Sequence, residues 1–387
     1  MNMTTLNTNA LRQALNLRDL TNPDDGYHAM QKSIYDILSA LRKAWACEVR
    51  VYRESPIITV EDSYNKLRYP PDGAARDARY TRYVTEGTLL RRMASAMIPK
   101  AMRSVADSLP DDVLLACPGI VYRRDSIDRL HTSEPHQLDL WRIHRSKRMQ
   151  KSDLDSMIET IVAAALPGSE WPTEPRNPYT LDGVQIDVLH NGEWIEIGEC
   201  GLAHPEIIAE NIPCIPGLSG LALGLGMDRI LMIRKNIKDI RVLRSVDPRV
   251  TNQMQDLSPY REISAMPPVT RDISLVLDED VTVEDIGDKV REALSSNADV
   301  VESVEILSQT LCAELPPTAV ERLGIRAGQK NLLLRVVLRA LDRTLTSDEC
   351  NAYRDIVYAA LHKGFAWQWA SRDGAIIPHL SGRSTLR

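Results

Sequence analysis

The sequence lacks several features that mark common classes of protein. Its six cysteines are scattered without a CxxC pair. No apolar run reaches the length of about 18 residues that a membrane span needs, and the first residues show no basic segment followed by an apolar core. These absences predict a reduced, soluble protein of the cytoplasm, with no zinc site and no membrane partner.

The sequence also lacks the motifs of two large enzyme classes, since it has no Walker-type phosphate loop and no Ser-His-Asp arrangement. His28, His131, His136 and His204 have no metal-ligand spacing, so we expect structural roles for them. The net charge of −6 argues against a protein that coats nucleic acid nonspecifically. A local basic surface is still compatible with it, because residues 320–365 carry eight Lys/Arg against five Asp/Glu.

The chain is long enough for two or three domains, and its first 245 residues mix strand and helix patterns. Several predicted strands follow one another before a last helix, which favours an antiparallel sheet flanked by helices over a doubly wound fold. The apolar spacing predicts helices at 28–45 and 152–165 and strands at 48–52, 57–60, 119–122, 137–143, 184–189 and 193–198.

The remaining pattern predicts a second, smaller α+β domain after a proline-punctuated linker. Capping boxes at 282–285 and 346–349 each open a helix, and the second helix is expected to end at Gly364. Strands are predicted at 273–277, 301–307, 331–339 and 365–369. This order is the ferredoxin-like βαββαβ unit.

Three segments carry residues suited to chemistry on ATP: 121–125 (VYRRD), 136–139 (HQLD) and 220–229 (GLALGLGMDR). The glycines of the third segment are expected to let a helix approach a sheet closely. Arginine suits phosphate binding because its guanidinium is planar, permanently charged and bidentate. Activating a carboxylic acid with ATP requires cations on the phosphates, acceptors for the substrate amine and a carboxylate for the metal.

These segments, read with 193–201 (EWIEIGECG), resemble motifs 2 and 3 of class II aminoacyl-tRNA synthetases. The resemblance is to the phenylalanyl-tRNA synthetase family, in its catalytic α-type subunit and its single-chain organellar form. A C-terminal region is similar to that family's ferredoxin-fold anticodon-binding domain. The resemblance implies a tail at 1–25, a catalytic domain at 26–245, a linker at 246–266, an anticodon-binding-like domain at 267–370 and a tail at 371–387.

The resemblance also implies a role for each matched residue. Arg123 and Arg229 would be catalytic, with Arg123 on the α-phosphate and activated carboxyl group and Arg229 on ATP. Glu196 would lie near ATP and bind Mg²⁺. The remaining implied sites are ATP at Gly224 and Gly226, the amino acid at Met93, Ser95, Gln137, Asp139, Asn177, Tyr179 and Gly201, and RNA phosphates at Arg322, Arg326 and Lys330.

Three positions depart from the family pattern. Met93 stands where the family carries a histidine, and Asn177 and Tyr179 stand where it has two phenylalanines against the substrate ring. A buried amide and hydroxyl need hydrogen bonds that a phenylalanine ring cannot supply. We therefore predict a substrate other than phenylalanine. The alternative is that both residues bond each other or water and phenylalanine still fits.

The predicted activity is an AMP-forming ligase that makes an aminoacyl-adenylate from ATP and an amino acid with Mg²⁺ and transfers it to tRNA. One alternative keeps the adenylation but uses a small molecule or carrier protein as acceptor. Another is a non-catalytic tRNA-binding paralogue, against which Arg123, Arg229, Gln137 and Asp139 argue. The basic residues at 322–330 could instead belong to a solvated loop. Either a monomer or a homodimer is compatible with the pattern.

Overall fold

The computed structural model describes residues 5–77, 80–171, 173–175, 180–263 and 266–366. The chain forms two compact units. The first contains residues up to 123 together with 132–261, and the second contains 124–131 together with the residues from 262 onward. No helix in the described ranges has both the length and the apolar character to cross a membrane.

In chain order, the α-helices of the described residues are α1 (Thr8–Leu15), α2 (Ala29–Trp45), α3 (Ile98–Val105), α4 (Lys151–Ala165), α5 (Pro205–Asn211), α6 (Met227–Lys235), α7 (Pro248–Thr251), α8 (Val283–Leu294), α9 (Pro317–Leu323) and α10 (Ser347–Leu361). The strands are β1 (Glu48–Val51), β2 (Ile57–Thr59), β3 (Thr88–Leu90), β4 (Asp112–Ile120), β5 (His136–His144), β6 (Thr173–Pro175), β7 (Thr180–His190), β8 (Glu193–Ala203), β9 (Ser219–Gly226), β10 (Val269–Asp278), β11 (Val301–Leu311) and β12 (Gln329–Leu338).

The first unit is built on a seven-stranded sheet of order β1-β4-β5-β9-β8-β7-β6. Every neighbouring pair is antiparallel except β1 with β4. Helices α3 and α5 pack their apolar side chains on one face of the sheet, and α4 and α6 contact strands of the same sheet. The predicted antiparallel sheet flanked by helices is confirmed.

Strand β4 was misplaced by the sequence pattern, which predicted a strand at 119–122. The observed strand begins at Asp112 and contains the continuous apolar run 113–117, all of it buried. A strand buried on both faces shows no period-two alternation, so its apolar run does not reveal its type. The strand ends at Ile120, just before the residues of the predicted motif.

The glycine-rich run forms strand β9, and helix α6 begins only at Met227. A Cβ atom on Gly220 would lie 2.5 Å from the carbonyl oxygen of Arg142 on β5. A Cβ atom on Gly198 of β8 would lie 2.3 Å from the carbonyl oxygen of Gly224. The expected approach of a helix is seen at Gly220, whose Cβ atom would lie 3.3 Å from Cδ1 of Ile208 on α5, but the closest approaches at these glycines are to neighbouring strands of the sheet.

The second unit shows the element order βαββα with the short helix α9 inserted between β11 and β12, and its antiparallel three-stranded sheet has the order β10-β12-β11. Helices α8 and α10 pack on this sheet. Both predicted capping boxes are confirmed, at Thr282 with Asp285 and at Thr346 with Glu349. Helix α10 ends at Leu361 rather than at Gly364. Most of the predicted last strand, from residue 367, lies outside the described residues.

Candidate active site

Strand β5 presents two predicted substrate-binding side chains on one face of the large sheet. Gln137 pairs with Gly226 and Asp139 pairs with Gly224 across the β5–β9 ladder. Residues two apart on a strand share a face, so Gln137 and Asp139 both lie beside glycines of β9. Gln137 and Asp139 therefore lie next to two residues of β9 that carry no side chain.

Gln137 connects this face to the turn that precedes α3. Its Oε1 accepts a hydrogen bond of 2.9 Å from the backbone N–H of Ala94. Ala94 is flanked by Met93, which begins that 3₁₀ turn, and by Ser95, which is 2% exposed. The structure thus brings Met93, Ser95 and Gln137 together, as the resemblance implied.

Asp139 is an unusual carboxyl group because it is 4% exposed and has no cation among its hydrogen-bond partners in the described chain. The indole N–H of Trp141 donates to its Oδ1 at 2.9 Å. Burial raises the pKa of Asp139 to about 8, and the hydrogen bond from Trp141 lowers it only in part. In the free site this carboxyl group is therefore largely neutral at pH 7. A bound ammonium group would favour its ionised form.

A buried His-Asp pair fixes the start of β5 against the start of α6. His136 is fully buried, and its Nδ1 lies 2.9 Å from Oδ1 of Asp228. Its Nε2 accepts a hydrogen bond of 3.1 Å from the backbone N–H of Leu20, which assigns the ring proton to Nδ1. Gln137 follows His136, and Arg229 follows Asp228. This pair therefore sets the spacing between the predicted amino-acid-binding residues of β5 and the predicted ATP-binding arginine of α6. The sequence pattern did not single out Asp228.

Arg229 lies in the first turn of α6 and contacts β8. Its Nη1 donates to the carbonyl oxygen of Glu196 at 3.1 Å and lies 3.6 Å from the Glu196 carboxylate Oε2. The described residues contain no cluster of three or more His, Cys, Asp or Glu side chains able to hold a metal. Glu196 therefore fits Mg²⁺ only as one carboxylate that shares the ion with substrate phosphates, which is how Mg²⁺ is commonly held.

Arg123 follows the end of β4, and a second ion pair holds its backbone. Its N–H donates to the carbonyl oxygen of Ser133 at 2.8 Å, and its own carbonyl oxygen accepts from Arg82 at 3.0 Å. Arg82 also binds the carboxylate of Glu134 at 2.6 Å. Arg82 and Glu134 were not predicted, since nothing in their spacing reveals that they meet.

Of the three remaining amino-acid-binding predictions, Gly201 lies on β8. A Cβ atom on Gly201 would lie 2.5 Å from Cβ of Thr180, so Thr180 covers that glycine. Asn177 and Tyr179, on which the prediction about phenylalanine rests, lie outside the described residues.

The three basic residues predicted to meet RNA lie in different settings. Arg322, on α9, is exposed, and so is Arg326, whose guanidinium carbon lies 3.2 Å from the centre of the Phe365 ring. Lys330 is 9% exposed, and its ammonium donates to the carbonyl oxygens of residues 279 and 281 at 3.0 Å each. The charge of Lys330 thus holds the turn before α8, which differs from the phosphate contact that was expected.

The fold agrees with the comparisons to known proteins. Residues 22–254 match the family described as "tRNA synthetases class II core domain (F)", and the chain belongs to that family. Within it, the chain is similar to phenylalanine-tRNA ligases. It is 31% identical to the α subunit from Nostoc sp. over 198 residues, which are 50% of this chain and 57% of that protein.

Two relatives with organellar names match more of the chain. The chloroplastic/mitochondrial phenylalanine-tRNA ligase of Arabidopsis thaliana is 27% identical over 77% of this chain and 67% of its own length. The mitochondrial enzyme of Saccharomyces cerevisiae is 24% identical over 80% of this chain and 81% of its own length. By contrast, the match spans little more than half the length of the bacterial α subunits.

Proposed function

We propose that this protein makes an aminoacyl-adenylate from ATP and an amino acid and then transfers the aminoacyl group to tRNA. The observation that carries this proposal is the His136–Asp228 pair, which sets Gln137 and Asp139 beside Gly224, Gly226 and Arg229. The proposed amine-binding pair on β5 and the proposed phosphate-binding arginine on α6 are thereby held on two elements that contact each other.

In this proposal the residues bind, orient and neutralise charge. Gln137 and ionised Asp139 hold the substrate ammonium, and Ser95 lies beside them. Arg123 aligns the substrate carboxylate with the α-phosphate, and Arg229 neutralises the phosphates. A carboxylate oxygen then forms a bond to the α-phosphorus while the bond to the bridging oxygen breaks and pyrophosphate leaves. Mg²⁺ would supply further charge neutralisation, with Glu196 as its protein ligand.

The identity of the amino acid and of the acceptor belongs to the proposal. Met93, Asn177 and Tyr179 support a substrate other than phenylalanine. The names of the relatives support tRNA as the acceptor. A small-molecule or carrier-protein acceptor is the second candidate, favoured by the commitment of Lys330 to a structural contact.

The domain limits, location and assembly stay as predicted from the sequence. We place the catalytic domain at 26–245, the linker at 246–266 and the anticodon-binding-like domain at 267–370. A cytoplasmic location stays a prediction, and two of the relatives carry organellar names. Monomer and homodimer both remain compatible with the proposal.

Exchange of labelled pyrophosphate into ATP, measured with each amino acid in turn, tests the adenylation. One amino acid should support exchange well above the others. Adding bulk tRNA to the same reaction should then yield acid-precipitable aminoacyl-tRNA. Exchange without any transfer to tRNA would favour the second candidate, and an absence of ATP binding by calorimetry would favour a non-catalytic paralogue.

A further inference from the structure

Two carboxyl groups face each other across a glycine on the floor of the proposed amino-acid site. In the ladder register, Asp139 of β5 pairs with Gly224 of β9, and Gly224 pairs with Glu199 of β8. Directly paired residues of antiparallel strands share a face, so both side chains rise on the same side of the sheet. Two strand spacings separate their Cα atoms by about 10 Å. Gly224 itself places no side chain between them.

The next row of the same face is filled by side chains. Trp141 pairs with Ala222, and Ala222 pairs with Gly201. Trp141 is fully buried and donates to Asp139, and Thr180 covers Gly201. We therefore expect this row to obstruct an aromatic ring, so that a substrate side chain would lie over Gly224 instead.

The groups around this gap are polar and influence one another. Burial raises the pKa of the Tyr69 phenol above its ordinary value. The Arg92 guanidinium lowers it, whereas Glu199 and Asp139 both raise it further. The Tyr69 phenol therefore lies within electrostatic range of both carboxyl groups. Its ring also packs edge-on against buried Tyr64, with centroids 5.9 Å apart, so it is held in place. The sequence pattern singled out neither Tyr69 nor Glu199.

A further hydrogen-bond acceptor continues the row on β7. Gln185 pairs with Glu199, and its Nε2 donates to Oδ1 of Asp187 at 2.8 Å. Its Oε1 is buried and has no hydrogen-bond partner among the described residues. A buried carbonyl oxygen without a donor is costly, so the row presents an acceptor that a ligand could satisfy.

We propose that Glu199 determines substrate specificity, and that the site takes a short α-amino acid whose side chain donates a hydrogen bond. This inference rests on the proposed adenylation. The α-ammonium lies at Gln137 and Asp139, and the side chain crosses Gly224 toward Glu199. Carboxylate and amide oxygens are acceptors, so the side chain must supply the donor, as a hydroxyl, amide or ammonium group does.

Large apolar side chains are disfavoured for two reasons. The row of Trp141 and Thr180 closes the space into which a ring would extend. A ring placed over Glu199 would shield a polar carboxyl group from water without offering it a hydrogen bond, which is unfavourable. Phenylalanine fails on both counts.

Pyrophosphate exchange with pairs of isosteric amino acids tests this inference. Serine is compared with 2-aminobutyrate, 2,4-diaminobutyrate with norvaline, and phenylalanine is included. In at least one pair, kcat/KM for the donor-bearing member should exceed that of its isostere by at least about tenfold. Glu199→Ala should abolish that ratio mainly by raising KM, and Glu199→Gln should keep the shape of the site and retain part of it.

Glu193→Gln is the matched control, because Glu193 is an exposed glutamate at the start of the same strand. It should leave the ratio unchanged, and thermal unfolding should show that all variants are folded. Preference of the native protein for phenylalanine would overturn the inference and leave adenylation in place. The inference would also be overturned if Glu199→Ala lowered kcat/KM equally for both members of a pair. If none of the amino acids supports exchange, the proposed adenylation is overturned, and the inference with it.

Discussion

At the scale of single residues, Asp139 combines a buried carboxyl group with a proposed role in binding a cation. Its folded-state pKa of about 8 exceeds the ordinary value of 3.8 because it is buried. The raised pKa means that the folded protein holds this proton more tightly than the unfolded chain does. The resulting contribution to stability is present below about pH 4 and is lost as the pH rises through 8.

Binding of the amino acid should therefore release a proton at pH 7. Neutral Asp139 must ionise to pair with the substrate ammonium, whereas Tyr69 and Cys117, which also face it, stay neutral because burial raises their pKa values. Isothermal titration calorimetry in buffers of different ionisation enthalpy measures this release. Asp139→Asn should bind more weakly and release no proton. An equal release by the native protein and Asp139→Asn would contradict the assignment.

Single residues were predicted unevenly. Gln137, Asp139 and Arg229 could be proposed from the sequence because each lies in a short segment with a recognisable pattern. Glu199 and Tyr69 could not, because they join the site through the order of strands β5, β9 and β8, which no local pattern reveals. The burial that shifts the pKa of Asp139 likewise depends on packing across the sheet.

At the scale of elements, the close packing of β9 on its neighbours depends on glycine. Gly220→Ala would bring a Cβ atom within 2.5 Å of a backbone carbonyl oxygen on β5, which cannot move aside as a flexible side chain can. We expect this variant to lower the free energy of unfolding by about 1 to 3 kcal/mol, measured by chemical denaturation.

Gly87→Ala provides the control for this prediction. No atom lies within 4 Å of the position that its Cβ would occupy, so its stability should stay close to that of the native protein. An equal effect of the two variants would show that loss of backbone freedom, rather than contact with β5, accounts for the change.

Elements with amphipathic periodicity or capping boxes were predicted well, as α2, α4, α8 and α10 show. Their signals are local, since one apolar stripe or one N-terminal box suffices to mark a helix. Strands β4 and β9 were harder because both are central. An almost continuously buried strand shows no alternation of apolar and polar residues. The role of the β9 glycines depends on which neighbouring strands pack against them, and the sequence alone does not reveal this.

At the scale of the whole molecule, the proposed function assigns adenylation to the first unit and RNA binding to the second. If the smaller unit binds tRNA, the exposed Arg322 and Arg326 should contribute electrostatic contacts. The double variant Arg322→Glu/Arg326→Glu should reduce transfer to tRNA severalfold at low salt, with unchanged pyrophosphate exchange. The difference from the native protein should shrink at high salt, because salt screens the contacts that the native arginines make.

The double variant Arg145→Glu/Arg148→Glu, which changes two exposed arginines of the first unit, is the charge-matched control. It should leave both exchange and transfer close to those of the native protein. Equal losses in exchange and transfer for Arg322→Glu/Arg326→Glu would contradict this division.

The central claim is that the large sheet activates an amino acid with ATP through Arg123. Amino-acid-dependent pyrophosphate exchange, measured for the native protein, Arg123→Ala and the control Arg145→Ala, tests it most directly. We predict exchange by the native protein and the control, and a loss of at least about a hundredfold in Arg123→Ala with an unchanged unfolding transition. Undiminished exchange by folded Arg123→Ala would contradict the claim.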